Sequence, residues 1–510
     1  MPDSYHTYTI SDYGAIPPGD VQAMMTEIYA RGPIFCGVDA NPMMEAAFGF
    51  KGVLRSDTQG ETDHIIGVVG WGTDENGVDY WVVRNSWGEF YADNGFVKVE
   101  RGNNTIQIEA TCGYAIPKNT WDDYKLPPKS VPKAAPSAAE SDIEVTKTES
   151  AKRILSSIAS SPKESDQEPT TRQWSTEVKR IEAIFTQKIT RDFEVKKAQE
   201  LSQQSLNLST SMTETQAKKV PTPSPQVHPV DWSKYKPVVI TPEPRKTVPA
   251  SSLPSAWHWG NVNGTNYLTW VINQHIPQYC GSCYAQSTIG AMSDRIKIQS
   301  KNLNRVTLSV QSLLNCGIGS CALGGGLYEA YMFAHSSGVP EYGCNGYLAS
   351  SPADTTCSGQ NVCQNCWGTA DKFTCWEPRQ YTKWYAKEHG WVTGALDMKK
   401  ELHARGPIAC SIYVSDKFYY TYKGGVWREL IDPDIMQNHG VTVVGWGSDA
   451  VEGEYWIVRN SWGTYWGESG YFRVPVNKGD ENLGIEEVCH WAVPEARVVN
   501  AGETSFINRE

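Results

Sequence analysis

Three stretches of this chain occur twice, in one order and at one spacing, and that repetition limits the possible architectures more than any other feature. "ARGPIFCGVDA" (30–40) returns as "ARGPIACSIYV" (404–414), "DHIIGVVGWG" (63–72) as "NHGVTVVGWG" (438–447), and "DYWVVRNSWGEFY" (79–91) as "EYWIVRNSWGTYW" (454–466). His64 precedes Asn85 by 21 residues, and His439 precedes Asn460 by 21. Shared composition does not produce matched gaps, so residues 1–126 read as a partial duplicate of the C-terminal half of a second, complete unit.

Between the copies the composition changes. Residues 127–230 are rich in Pro, Ser and Lys ("KLPPKSVPKAAPSAAESD", "KKVPTPSPQVHPV") and hold no cysteine, the pattern of a disordered linker. Inside it Trp174, Val178, Ile181, Phe185 and Ile189 recur at helical spacing, so 172–200 reads as an amphipathic helix, transient unless a partner covers its one stripe.

A formal charge of -11 and a pI near 5.5 leave nothing to neutralise a phosphate backbone, which excludes a nucleic-acid binder. No window approaches the ~18 apolar residues of a membrane helix, and "MPDSYHTYTI" lacks the basic start and apolar run of a signal peptide. Yet 13 cysteines and sequons at Asn103, Asn207 and Asn263 fit an oxidising, secretory-type compartment, so a further N-terminal stretch is expected upstream.

The chemistry gathers around "QHIPQYCGSCYAQ" (274–286), where Cys283 could be a nucleophile, a metal ligand or half of a disulfide. Ser282 is a helix-capping residue type, and Ala285, Ile289, Met292 and Ile296 behind it form one apolar face, so Cys283 falls on a first turn. There unpaired N–H groups and the helix dipole favour thiolate over thiol. His439 leads into the apolar run "VTVVGWG" of a buried strand, and Asn460 ends another, "EYWIVRN". An amide there can accept the imidazole's other N–H while Trp462 shields that bond from water, and Gln274 can join the Cys283 N–H in donating to an oxyanion. The C-x-x-C pairs Cys280/Cys283 and Cys363/Cys366 stand about 80 residues apart against the ~15–20 of zinc modules, so neither metal nor other cofactor is expected.

"CGSCY" resembles the cysteine signature of the papain-like peptidases, C-G-[SA]-C-[WY] with His and Asn far downstream. With "LPSAWHWGNVNGTNYLTWVINQHIPQYCGSC", "VRNSWG" and "IEEVC", the chain is similar to the cathepsin X/Z-type carboxypeptidases of that family, as a whole enzyme over 252–494 and as a half over 5–117. Two departures stand out: Tyr284 replaces the usual tryptophan, and "CALGGG" carries an extra residue in the glycine stretch.

The resemblance implies an α+β, papain-like fold, with a helical L subdomain bearing Cys283, a β-barrel-like R subdomain bearing His439 and Asn460, and an extra partial R-like module. It implies Cys283 as nucleophile, His439 as general base and acid, Asn460 as orienter and Gln274 as oxyanion donor. His275, Tyr279 and Trp462 would bind substrate, His275 lying on a three-residue insertion (His275, Ile276, Pro277) that blocks the primed side of the cleft and pairs with a terminal carboxylate. Such an imidazolium selects a free C-terminus, favours mildly acidic pH and limits the product to one residue; a papain-like endopeptidase and an inactive binding module are the alternatives. The implied disulfides are Cys280–Cys321, Cys316–Cys357, Cys344–Cys363, Cys366–Cys375, Cys410–Cys489 and Cys36–Cys112, leaving Cys283 free. Residues 226–251 take the place of a propeptide without a cysteine to cap Cys283, and 495–510 form a tail. The implied partners are peptides with a free C-terminal carboxylate, in a lysosomal, vacuolar or extracellular setting. Residues 1–126 keep His64 and Asn85 as non-catalytic counterparts and are expected to touch the peptidase domain, even to compete for the nucleophile helix with His64 beside Cys283.

Overall fold

The computed structural model describes residues 8–118 and 236–502, apart from 48, 57–59, 304–305, 353–356, 370–371, 431–435 and 480. The linker 127–230 and the helix expected over 172–200 lie outside them. Each region is organised around one antiparallel sheet. The N-terminal strands are β1 (Ile10–Ile16), β2 (Ile34–Val38), β3 (Val53–Leu54), β4 (His64–Thr73), β5 (Asp79–Arg84), β6 (Phe96–Glu100) and β7 (Cys112–Pro117), in the spatial order β1-β7-β2-β4-β5-β6-β3. β3 pairs with β6 in parallel.

In the C-terminal region the strands are β8 (Trp257–His258), β9 (Val339–Pro340), β10 (Asn365–Thr369), β11 (Lys372–Trp376), β12 (Gln380–Val392), β13 (Ile408–Ile412), β14 (His439–Asp449), β15 (Gly453–Arg459), β16 (Tyr471–Pro475) and β17 (Cys489–Asn500). The main sheet runs β16-β15-β14-β13-β17-β12-β9, β8 pairs with β14, and β10–β11 is a separate hairpin. The sheet is not a closed barrel: among the described residues β16 and β9 end the order without pairing with each other, and Trp446, Trp456, Trp491, Phe418 and Phe472 share one core.

Order and irregularities coincide between the two sheets. β1, β7, β2, β4, β5 and β6 follow the same neighbour sequence as β12, β17, β13, β14, β15 and β16. His64 opposes Val38 as His439 opposes Ile412. Register shifts fall at Val68/Gly70 and Val443/Gly445, and again at Ile10/Asp12 and Ala386/Glu388. A bulge re-aims every later side chain on its strand, so matching bulges keep matching faces.

Facing the C-terminal sheet is the helix Cys283–Gln299, whose Ala285, Ile289, Met292 and Ile296 are buried as the periodicity expects. The polar side of that helix is buried too, because the second core of Leu313, Tyr331 and Phe333 packs on one flank and β14 and β17 on the other. Buried charge needs partners. Arg295 donates to the carbonyls of Pro407, Ala492 and Gly406 and to Glu401 at 2.8–3.1 Å, and Asp294 pairs with Arg459 at 2.8 Å. The two sequence departures meet here: the Tyr284 ring lies under the glycine stretch, where a Cβ on Gly325 would come within 2.9 Å of it.

All six implied cysteine pairs stand at bonding distance, and Cys283 is the free cysteine. The described part of the propeptide-like segment joins the fold: Val238 pairs with His389, and Glu388 accepts the N–H groups of Ile240 and Thr241 at 2.9 Å. Asn103 and Asn263 are exposed, and Asn207 lies outside the described residues. Among the described residues no helix is long and apolar enough to cross a membrane.

Candidate active site

Cys283 opens its helix, as the sequence suggests, but the serine before it does not cap by side chain. The Ser282 hydroxyl pairs with the Tyr347 hydroxyl at 2.6 Å, and Tyr347 in turn donates to the Gln274 carbonyl at 2.7 Å. Ser282 is thereby spent on fixing the Gln274 segment against the helix start. The Cys283 sulfur instead receives the N–H groups of Gly440, Tyr284 and Cys283 itself.

Gly440 follows His439 at the head of β14, and a Cβ there would meet Ser287 Oγ at 2.9 Å and the Cys283 carbonyl at 3.1 Å. Only glycine lets the strand approach this closely, and the approach brings the histidine to the helix start. The imidazole Nε2 contacts Asn460 Oδ1 at 2.8 Å, Trp462 stacks on the ring at 4.6 Å, and Nδ1 is buried without a hydrogen-bond partner. Nδ1 is therefore the nitrogen left for the sulfur's proton.

Burial raises the Cys283 thiol, the three N–H groups opposing it, and burial lowers His439 to about 4. The N–H groups at the helix start lower the thiol, as its first-turn position implies, while burial opposes them. Charge is available to this site only as a pair formed by one proton passing from Sγ to Nδ1, which leaves the net charge unchanged.

Gln274 is fully buried, with Nε2 donating to the Cys280 carbonyl at 2.9 Å and Oε1 accepting from Ser461 Oγ at 2.6 Å. Ser461, a residue missed in the sequence although it stands beside Asn460 in "NSWG", also accepts the Gln274 N–H at 2.8 Å. Tyr347 carried no sequence signal at all. His275 stacks on Tyr279 at 4.8 Å, and its Nδ1 accepts the Cys280 N–H at 3.3 Å. An accepting Nδ1 fixes the neutral tautomer with its hydrogen on Nε2, and burial lowers the pKa. The charged His275 expected at mildly acidic pH is thus disfavoured in the free protein.

His64, Asn85 and Trp87 repeat part of this geometry: Nε2 to Oδ1 at 2.8 Å and a stacking distance of 4.7 Å. They do not share Cys283, which lies under β14. Ile65 occupies the place of Gly440, so a helix seated there as Cys283–Gln299 sits on β14 would collide with its side chain. In this structure the strand packed on the Cys283 helix is β14, which His439 opens.

A thiol, an imidazole and an amide converging from a helix start and two strand ends can move a proton from sulfur to nitrogen and attack an acyl carbon, the chemistry of a thiol hydrolase. Residues 2–116 and 253–493 match the papain family cysteine protease, and the chain belongs to that family. Cathepsin Z of Onchocerca volvulus is 43% identical over 252 residues, 48% of this chain and 79% of the relative. A gut-specific cysteine proteinase of Caenorhabditis elegans is 31% identical over 229 residues, 41% of this chain and 64% of the relative. Among solved structures, proCathepsin B S9 from Trypanosoma congolense is 23% identical with a TM-score of 0.41, covering 53% of this chain and 87% of its own.

Proposed function

We propose that this papain-family peptidase is a cysteine-type carboxypeptidase that removes single residues from peptide C-termini. The observation that carries the reading is the His275–Tyr279 stack on the short loop between Gln274 and Cys280, with no hydrogen bond to Nε2 of His275 among the described residues. A substrate carboxylate at that nitrogen accepts its hydrogen and, as an anion, pulls a second proton onto the ring. The identity to cathepsin Z supports the same reading.

Cys283 attacks the last peptide carbonyl as its proton moves to His439; His439 returns that proton to the departing amino acid, and water then releases the shortened peptide from the thioester. Asn460 holds the imidazole, and Gln274 with the Cys283 N–H meets the oxyanion. Gln274→Ala should therefore lower kcat by about 10²–10³-fold with little change in KM, read from steady-state hydrolysis. A comparable loss in KM instead would assign Gln274 to ground-state binding.

The test of specificity compares one peptide as free acid and as C-terminal amide, with products weighed by mass spectrometry. Shortening by one residue, confined to the free acid, is expected; internal fragments from the amide would establish an endopeptidase, the activity type that the cathepsin B-like relatives at 31–32% identity favour. His275→Ala should raise KM for the free acid by roughly 10–100-fold, the worth of a charged hydrogen bond, and leave any amide hydrolysis unchanged.

Residues 1–126 are proposed as a partial copy without a nucleophile, and six disulfides argue for an oxidising secretory, lysosomal or extracellular setting.

A further inference from the structure

The loop after Asn85 departs from its counterpart at the residues that touch the other region. "SWGEFY" (86–91) stands where the peptidase has "SWGTYW" (461–466), so Glu89 replaces Thr464 and Phe90 replaces Tyr465. Tyr465 is half exposed on its own loop, whereas Phe90 is partly buried and packs against the core of the helical subdomain. Trp87, stacked on His64 by one face, meets Trp367 of β10 edge-on at 5.0 Å. The Glu89 carboxyl lies over Gly343, 3.9 Å from where a Cβ would stand, and is in hydrogen-bond contact with Glu341. Two carboxyls can share such a bond only with a proton between them.

We propose that Trp87, Glu89 and Phe90 form a docking surface whose partner is the chain's own helical subdomain, seated on Trp367 and Glu341 and closed by one proton held between the two carboxyls. The docked face is acid-dependent for a local reason. The charged side chain facing Glu89 is Glu341, whose Oε1 also accepts the Trp384 N–H at 3.5 Å, and no basic group is ion-paired with either carboxyl among the described residues. Burial first, then Glu341, raises Glu89 from 4.5 to about 9. The pKa is higher docked than free, so docking is fully supported below about 4.5 and lost as pH climbs through about 9. Within that window one proton is taken up on docking, and the docking equilibrium falls about tenfold per pH unit.

The proposal does not rest on the peptidase reading, because the experiment reads backbone exchange rather than hydrolysis. Hydrogen exchange of the full chain, corrected for intrinsic rates, is followed at pH 5 and pH 8 in segments 86–92, 341–347 and 365–369. The expected result is strong protection at pH 5 that weakens by orders of magnitude toward pH 8 in all three segments together. Glu89→Gln supplies the shared hydrogen without titrating, so its protection should be equal at both pH values. Trp367→Ala should reduce protection of 86–92 at pH 5 while the exchange of β14 stays unchanged. Equal protection of the intact protein at both pH values, pH-dependent protection retained in Glu89→Gln, or protection that falls on dilution would overturn the proposal.

Discussion

Cys283→Ala is expected to lower kcat for peptide hydrolysis by about 10⁴-fold or more, since every covalent step passes through that sulfur. The fold should survive: the side chain is small, makes no disulfide, and the fully buried neighbours Tyr284 and Ala285 stay in place. Iodoacetamide applied without reductant should label one of the 13 cysteines, because the other 12 are paired. The pH dependence separates a paired from a solitary thiol. With His439 present the sulfur loses its proton to Nδ1, and labelling proceeds on the acid side of the thiol's ordinary value of 9.0. In His439→Ala the burial-raised thiol is alone, and labelling should move to the alkaline side of its ordinary value of 9.0. A Cys283→Ala protein that still turns over, or a labelling profile indifferent to His439, would remove the reacting centre from this account.

The sequence carried the site well where local pattern and chemistry coincide. The apolar face behind Cys283, the strand entered at His439 and the "NSWG" turn are written in periods of 3.6 and 2 and in short motifs, and the structure places them together. What it concealed depends on burial, which pattern alone does not price. The charge balance at Cys283 is one case: a first-turn position argues for thiolate, but complete enclosure reverses the sign for either group taken singly. His275 is another, since burial lowers its imidazole while its Nδ1 accepts the Cys280 N–H five residues away. Tyr347 reaches Gln274 and Ser282 only through folding, from 73 and 65 residues along the chain.

Two substitutions explain why sequence likeness between the regions does not carry function with it. At the head of β4, Ile65 stands for Gly440 and closes the approach a nucleophile helix needs. At the end of β5 the arginine itself is kept, but Arg84, the counterpart of Arg459, is exposed and without an ion-paired carboxylate among the described residues. Phe35, about half exposed, likewise replaces the fully buried Ala409 on the face that packs against the helical core. The His64–Asn85 geometry persists because it is made within one sheet; what is missing is everything that came from across the cleft.

Asp294→Ala is the substitution expected to cost the C-terminal region most. Asp294 is fully buried on the Cys283 helix, ion-paired with Arg459 at 2.8 Å, and its Oδ1 accepts from Arg459 at 3.1 Å and from the Thr269 N–H and hydroxyl at 2.7 and 2.8 Å. Arg459, 5% exposed, immediately precedes Asn460, so this ion pair ties the helix that carries the thiol to the strand that carries the amide. Removing the carboxylate strands a guanidinium in the interior, a loss of about 3–5 kcal/mol, or a fall in Tm on the order of 10 °C for a domain of this size. Replacing both partners by apolar residues of similar volume, Asp294→Leu with Arg459→Met, should recover most of that stability, since no charge is then left unpaired. It should not recover kcat, because Asn460 loses the anchor that fixes it against His439. Thermal unfolding of the single and double variants beside their kinetics decides the matter: a single-variant loss below about 1 kcal/mol would show the pair to be solvated in solution, and a double variant with full activity would show that Asn460 is positioned by the sheet alone.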